Sequence, residues 1–174
     1  MVKAFVSFIV FLVILSIPRS VIAAYVLPYP SYMPGNKLYR VSRFMDEVKR
    51  YWYWGNLASH RYHQAQSDKA LVEAKTLFEY HQYLLGVEAL ERSTQAVQKQ
   101  NTYLLRAEKE GKDMHQARQI VREAMAEHQG VLNKLIQELP SEFVWQPEKQ
   151  SSVLLPLHEI IGAALEERKK HISI

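Results

Sequence analysis

Between residues 37 and 139 no proline interrupts the chain, and apolar residues recur at steps of three and four. That is the period of helices with one apolar face, not of strands. Asn36 follows Gly35 and can cap a first helix over 37–54. Leu38, Val41, Met45, Val48 and Trp52 form its stripe, which predicts the side turned to a core. Gly55 and Asn56 stop it. A second helix begins near Leu57. Leu71, Ala74, Phe78, His81 and Leu85 share its stripe, and the polar His60, Gln64 and Ser67 continue that stripe backwards. A break must fall between residues 79 and 86, where turn signals are poor. In the third helix Tyr83, Val87, Leu90, Thr94, Val97, Asn101 and Leu104 repeat, and Gly111 ends it as a left-handed cap. Asp113 caps the fourth helix. There Met114, Val121, His128 and Leu135 interleave with Arg118, Met125, Leu132 and Leu139 as a narrow seam, closed by Pro140.

Beyond Pro140 the pattern weakens. Residues 141–150 read as a loop with a Phe143-Val144-Trp145 lid. Ser152 starts a short last helix to about residue 170, with Pro156 in its first turn. The basic run Arg168-Lys169-Lys170-His171 reads as a soluble, frayed helix end that complements the helix dipole. The predicted fold is all-α: an up-and-down bundle of four main amphipathic helices over 37–140, with 141–174 packed on it as a loop and C-terminal helix.

The start of the chain differs. Lys3 precedes an uncharged apolar run over 4–17, then Pro18-Arg19-Ser20 and the permissive Val21-Ile22-Ala23. This order is that of a secretory signal over 1–23, cut after Ala23 or Ala24. An uncleaved anchor is the alternative, but the run of 14 falls short of the ~20 residues that span a bilayer. Residues 24–36 hold three prolines and three tyrosines and predict an extended strap, laid over the bundle by its tyrosines.

Composition supports a folded domain: 48% of residues are hydrophobic and six are glycine. Lys3 and Arg19 belong to the signal, so the remainder carries 20 basic against 18 acidic residues, interspersed. That argues against a nucleic-acid binder, which shows a concentrated basic patch. The absence of cysteine excludes disulfides, thiolate chemistry, zinc–sulfur sites and a lipoprotein anchor.

Candidate chemistry is sparse. No glutamate has a histidine three residues later, as dinuclear carboxylate bundles require. His158-Glu159-Ile160-Ile161-Gly162 fails the zinc-protease pattern at its fifth position. No nucleophile elbow or phosphate loop occurs. No catalytic residue and no cofactor are therefore assigned. His60 and His63, one turn apart, are metal candidates together with His128. His128 on the apolar seam also reads as a hydrogen-bonded core histidine whose protonation would place charge inside the fold. Four consecutive aromatics, Tyr51, Trp52, Tyr53 and Trp54, cannot all face one core. They read either as a second packing surface or as a contact patch for a partner, a glycan or a membrane interface. With Phe143 and Trp145 they make the candidate interaction surface.

Five stretches together resemble a family of exported bacterial helical domains catalogued as a domain of unknown function. Leu27-Pro28 before Lys37-Leu38-Tyr39 is similar to its proline-led opening, and the basic aromatic segment 43–54 to its next helix. Leu71-Val72-Glu73-Ala74 resembles its central helix, Gly111-Lys112-Asp113 the following turn, and His128-Gln129-Gly130-Val131-Leu132 its last long helix. The resemblance implies an exported helical domain and no reaction. The expectation is a non-enzymatic structural or protein-interaction module of the cell envelope, periplasmic or extracellular, acting on a protein partner or on itself. On this view it meets the membrane only through an uncleaved signal. The alternative is an envelope metal- or small-ligand-binding protein of a sensor or chaperone-like kind.

Overall fold

The structure, a computed structural model, describes residues 25–149 and 151–172. The expected signal segment lies outside the described residues. Within them the chain is an up-and-down helical bundle. Its elements are α1 (Lys37–Arg50), α2 (Asn56–Glu79), α3 (Tyr83–Lys109), α4 (His115–Glu138), β1 (Phe143–Trp145), β2 (Val153–Leu155) and α5 (Leu157–Ile172).

The closed part of the bundle is α2 to α5. α2 packs along α3, α4 along α5, and the two hairpins meet through α2 against α4 and α3 against α5. The short last helix is thus a full member of the bundle. Of its six buried residues, Leu157, Ile161, Ala164, Arg168 and His171 alternate steps of four and three, and Leu165 lies beside them. The main apolar cluster gathers at one end, from Leu71, Leu77, Phe78, Leu90, Leu132, Leu135, Leu157 and Ile161. Two smaller clusters, around Val121 with Met125 and around Leu104 with Met114, continue it toward the other end.

Two helix ends share one geometry. After α3, Gly111 takes φ 78° and donates to Glu108 O, while Lys112 donates to Ala107 O. After α2, His81 takes φ 58° and donates to Phe78 O, while Gln82 donates to Leu77 O. Both are Schellman caps with a left-handed residue just past the helix. The break between α2 and α3 therefore falls inside the expected window, on a histidine in a conformation that glycine adopts more readily. Its ring nitrogen Nδ1 lies 2.9 Å from the Tyr83 hydroxyl.

Several local expectations change. The loop after Pro140 contains two short strands, with Phe143, Val144 and Trp145 facing Leu155, Leu154 and Val153 in antiparallel register. β2 occupies the expected first turn of the last helix, so α5 starts only after Pro156. Of the strap tyrosines only Tyr25 docks through its hydroxyl, and Tyr29 is almost fully exposed. Leu27 and Met33, rather than Tyr29 and Tyr32, pack the strap onto the main cluster.

The largest change concerns α1. Asn36 caps it as expected, accepting from Leu38 N at 2.9 Å. It ends four residues early, at Arg50. Leu38, Val41, Met45 and Trp52, expected to face the core, are exposed, as is Phe44 beside them. The one buried residue of α1 is Asp46. A hydrophobic period identifies a face but not its direction, and here polar contacts hold the opposite face.

Gly86 shows how tightly the α2–α3 hairpin closes. A Cβ built there would stand 2.7 Å from Cδ1 and Cε1 of Phe78, which is buried in the main cluster. Gly86→Ala gains up to about 1 kcal/mol of helix propensity but loses about 1–3 kcal/mol to overpacking. The variant should therefore melt at lower temperature than the parent in a circular-dichroism scan.

Candidate functional site

Polar groups occupy core positions in the middle of the bundle. Ser67 and Asp68 come from α2, Ser93 and Thr94 from α3, His128 from α4 and Arg168 from α5. Arg168 and His128 are fully buried. Arg168 Nη2 donates to Ser93 Oγ at 2.8 Å, and Nη1 donates to Thr94 Oγ1 at 3.2 Å and to Ala164 O at 2.8 Å. Its Nε lies 3.3 Å from His128 Nδ1. A guanidinium can only donate, so Nδ1 accepts. The ring proton then sits on Nε2, which faces Asp68 Oδ1 at 2.8 Å. Asp68 also accepts from the Tyr25 hydroxyl, which in turn takes a hydrogen bond from Gln64 Nε2 at 3.1 Å.

A neutral imidazole thus stands between a buried carboxylate and a buried guanidinium. Burial holds the His128 pKa below its ordinary value; the Asp68 bond opposes this, and the Arg168 charge reinforces it. Burial likewise pushes Arg168 down to about 10. Tyr25 is raised, first by burial and then by its bond to Asp68. Both nitrogens of His128 are engaged, so neither offers a free lone pair to a metal. The frayed end expected at residues 168–171 is corrected accordingly: Arg168 is the largest fully buried side chain and His171 is buried beside it, while Lys169 and Lys170 face solvent and pair with Glu166 and Glu167.

His60 and His63 sit apart from this network. His60 is buried on α2 with Nδ1 3.1 Å from Gln100 O. His63 stacks on Tyr103, rings 5.3 Å apart and 9° from parallel, and meets the edge of Tyr62 at 5.1 Å. Burial, then the charges of Lys99, Arg50 and His60, holds His63 at about 4. Among the described residues no three His, Asp or Glu side chains gather as a metal set.

His63 also lines a cleft of about 660 Å³ between α1, α2 and α3. Four cations, Arg43, Arg50, Arg92 and Lys99, line it against one carboxylate, Glu47. Arg92 Nη2 is paired with Glu73 Oε1 at 2.8 Å, but its Nε is buried without a hydrogen-bond partner. The roof of the cleft is α1, fastened by polar contacts. Asp46 pairs with Lys69, the Tyr39 hydroxyl donates to Glu73 Oε1 at 2.8 Å, and the Tyr62 hydroxyl donates to Asp46 O at 2.8 Å.

The six aromatics expected to form one surface are separated. Tyr51, Trp52 and Trp54 are exposed before the N-terminus of α2, where Tyr53 rests at 5.3 Å on Tyr62. Phe143 and Trp145 instead pack on the main cluster, with Phe143 at 4.5 Å from Tyr83. Tyr83 follows the C-terminus of α2, so the two groups lie a helix length apart, ~36 Å for 24 residues.

Sequence did not single out Asp68 and placed Arg168 only in a solvated basic run, yet a signal existed. Ser67, Thr94 and His128 each interrupt an apolar stripe, and Arg168 continues the Leu157, Ile161, Ala164 spacing. Polar residues at core positions on several helices imply partners for one another.

Arg168→Met leaves Ser93, Thr94 and His128 Nδ1 buried without their donor, a loss of about 1–3 kcal/mol; urea unfolding of the variant beside the parent measures it. A pH dependence follows from the same burial. His60, His63, His128 and His171 all have folded pKa values below the ordinary 6.5. The unfolded chain then binds more protons below that pH, so stability is fully present above it and falls as pH drops from about 6.5 toward 4. Urea midpoints across that range should fall with pH, and His63→Gln should flatten the slope. No protein-family model, curated protein or solved structure matches this chain.

Proposed function

We propose that this protein is a non-enzymatic, exported interaction module of the bacterial cell envelope, and that its contact surface is the outer face of α1 with the aromatic block that follows. One observation carries this reading. α1 is the most strongly amphipathic of the five described helices, and its polar side faces the bundle while its apolar side faces solvent. Leaving Leu38, Val41, Phe44 and Met45 in water forgoes on the order of 1.5–3 kcal/mol for each side chain that could be fully buried. Contiguous exposed apolar surface of this kind marks a contact site. Export rests on the order of residues 1–23 and on the resemblance to exported helical domains. No described helix is long and apolar enough to cross a membrane.

The chain has no cysteine, so single cysteines report cleanly. Val41 on α1 and Val144 on β1 are matched in exposure, at 55% and 57%. In purified protein Val41→Cys and Val144→Cys should react equally with a maleimide. In intact envelopes Val41→Cys should become at least ~10-fold slower while Val144→Cys stays reactive, since a covered site must open before it reacts. Equal reactivity of the two in envelopes would overturn the proposal.

A further inference from the structure

The outer face of α1 presents Leu38, Val41, Phe44 and Met45, and the surface continues into Trp52 and Trp54. Upstream, Val26 and Tyr29 are exposed as well. Five basic residues lie in the helix, namely Lys37, Arg40, Arg43, Lys49 and Arg50. Its two acids are Asp46 and Glu47, and Asp46 is buried on Lys69. Arg43 and Arg50 line the cleft, so an approaching surface meets an apolar stripe bordered by the exposed Lys37, Arg40 and Lys49, with Glu47 as the one exposed carboxylate of the helix.

Charge decides between occupants. A second copy of the chain would bring the same cations against themselves, and like charges in contact disfavour such pairing. A bilayer with anionic lipid matches both halves of the pattern. Apolar side chains enter the acyl boundary, lysine and arginine meet phosphates, and tryptophans and tyrosines sit at headgroup depth. Arg43, on the same helix, lies within salt-bridge distance of no carboxylate among the described residues. The chain also leaves the described region at Tyr25, close behind the apolar run 4–17. That run would bring the strap and α1 to a membrane during export.

We infer that α1 is an interfacial helix that seats the protein on an anionic bilayer, apolar face in the acyl boundary and cations on lipid phosphates. The inference rests on the reading of α1 as the contact face and names what covers it.

The test uses the full chain carrying Trp145→Phe, so that of the three tryptophans only Trp52 and Trp54 report. Vesicles of phosphatidylcholine alone, or mixed with phosphatidylglycerol, carry brominated acyl chains that quench at short range. On anionic vesicles the emission should shift to the blue and be quenched. Partitioning should be at least ~10-fold weaker on phosphatidylcholine, or in 1 M salt where the screening length shrinks to about 3 Å. Phe44→Glu/Met45→Glu should cut it by a further ~10-fold while the thermal melt is retained.

Three outcomes overturn the inference. One is unquenched Trp52 and Trp54 on anionic vesicles, including the case where residues 1–24 alone hold the chain there. The others are equal quenching on both lipid compositions and indifference to the double substitution. If the vesicle test fails while Val41→Cys is still protected in envelopes, the contact face stands and its occupant is a protein. Sedimentation of the purified chain then tells a second copy from another partner. If both fail, the contact face falls too.

Discussion

A guanidinium cannot lie fully inside a helical bundle unless its donors and its charge are both met: Ser93, Thr94 and His128 take the donors, and Glu167 beside it favours the charge. Asp68 and Arg168 do not touch; His128 stands between them, accepting from one and donating to the other. The arrangement has a direction, because arginine can only donate and an ionised carboxylate can only accept. It therefore tolerates one ring tautomer and one ring orientation. α2, α4 and α5 are placed in mutual register by this chain of bonds, and Ser93 and Thr94 bring α3 into it. Apolar side chains of similar volume would stabilise the fold about as well, but they would accept a slipped helix that this network rejects.

The network also divides the molecule. On one side lies the large leucine-rich cluster, closed by Phe78 under Gly86 and by the two short strands. On the other are small clusters, one built on Val97, Val121 and Met125 and one on Leu104 and Met114. The second half is held more by histidines, glutamines and tyrosines than by leucines, which is where the proton sensitivity of the fold concentrates.

Most of the architecture was legible in the sequence, because long amphipathic helices announce their period. Direction and partner were not. The stripe of α1 was visible, but its polar face holds Asp46 and Tyr39, whose partners Lys69 and Glu73 lie more than twenty residues away. The α3 end was readable and the α2 end was not, although both use the same cap, since Gly111 signals a left-handed residue and His81 does not. Arg168 sat in a basic run that resembles any solvated helix end, and only the spacing from Leu157 distinguishes it. The aromatic block and the Phe143–Trp145 strand were grouped by composition. They belong to opposite ends of α2, a separation that residue type cannot carry.

The way α1 is fastened has a consequence for the order in which the molecule opens. Every strong contact between α1 and the bundle is an ion pair or a hydrogen bond, and no member of the main apolar cluster comes from it. Such contacts exchange readily for water or for other charges, whereas the leucine cluster does not. Releasing α1 would therefore break those polar contacts and leave the apolar clusters of α2 to α5 whole.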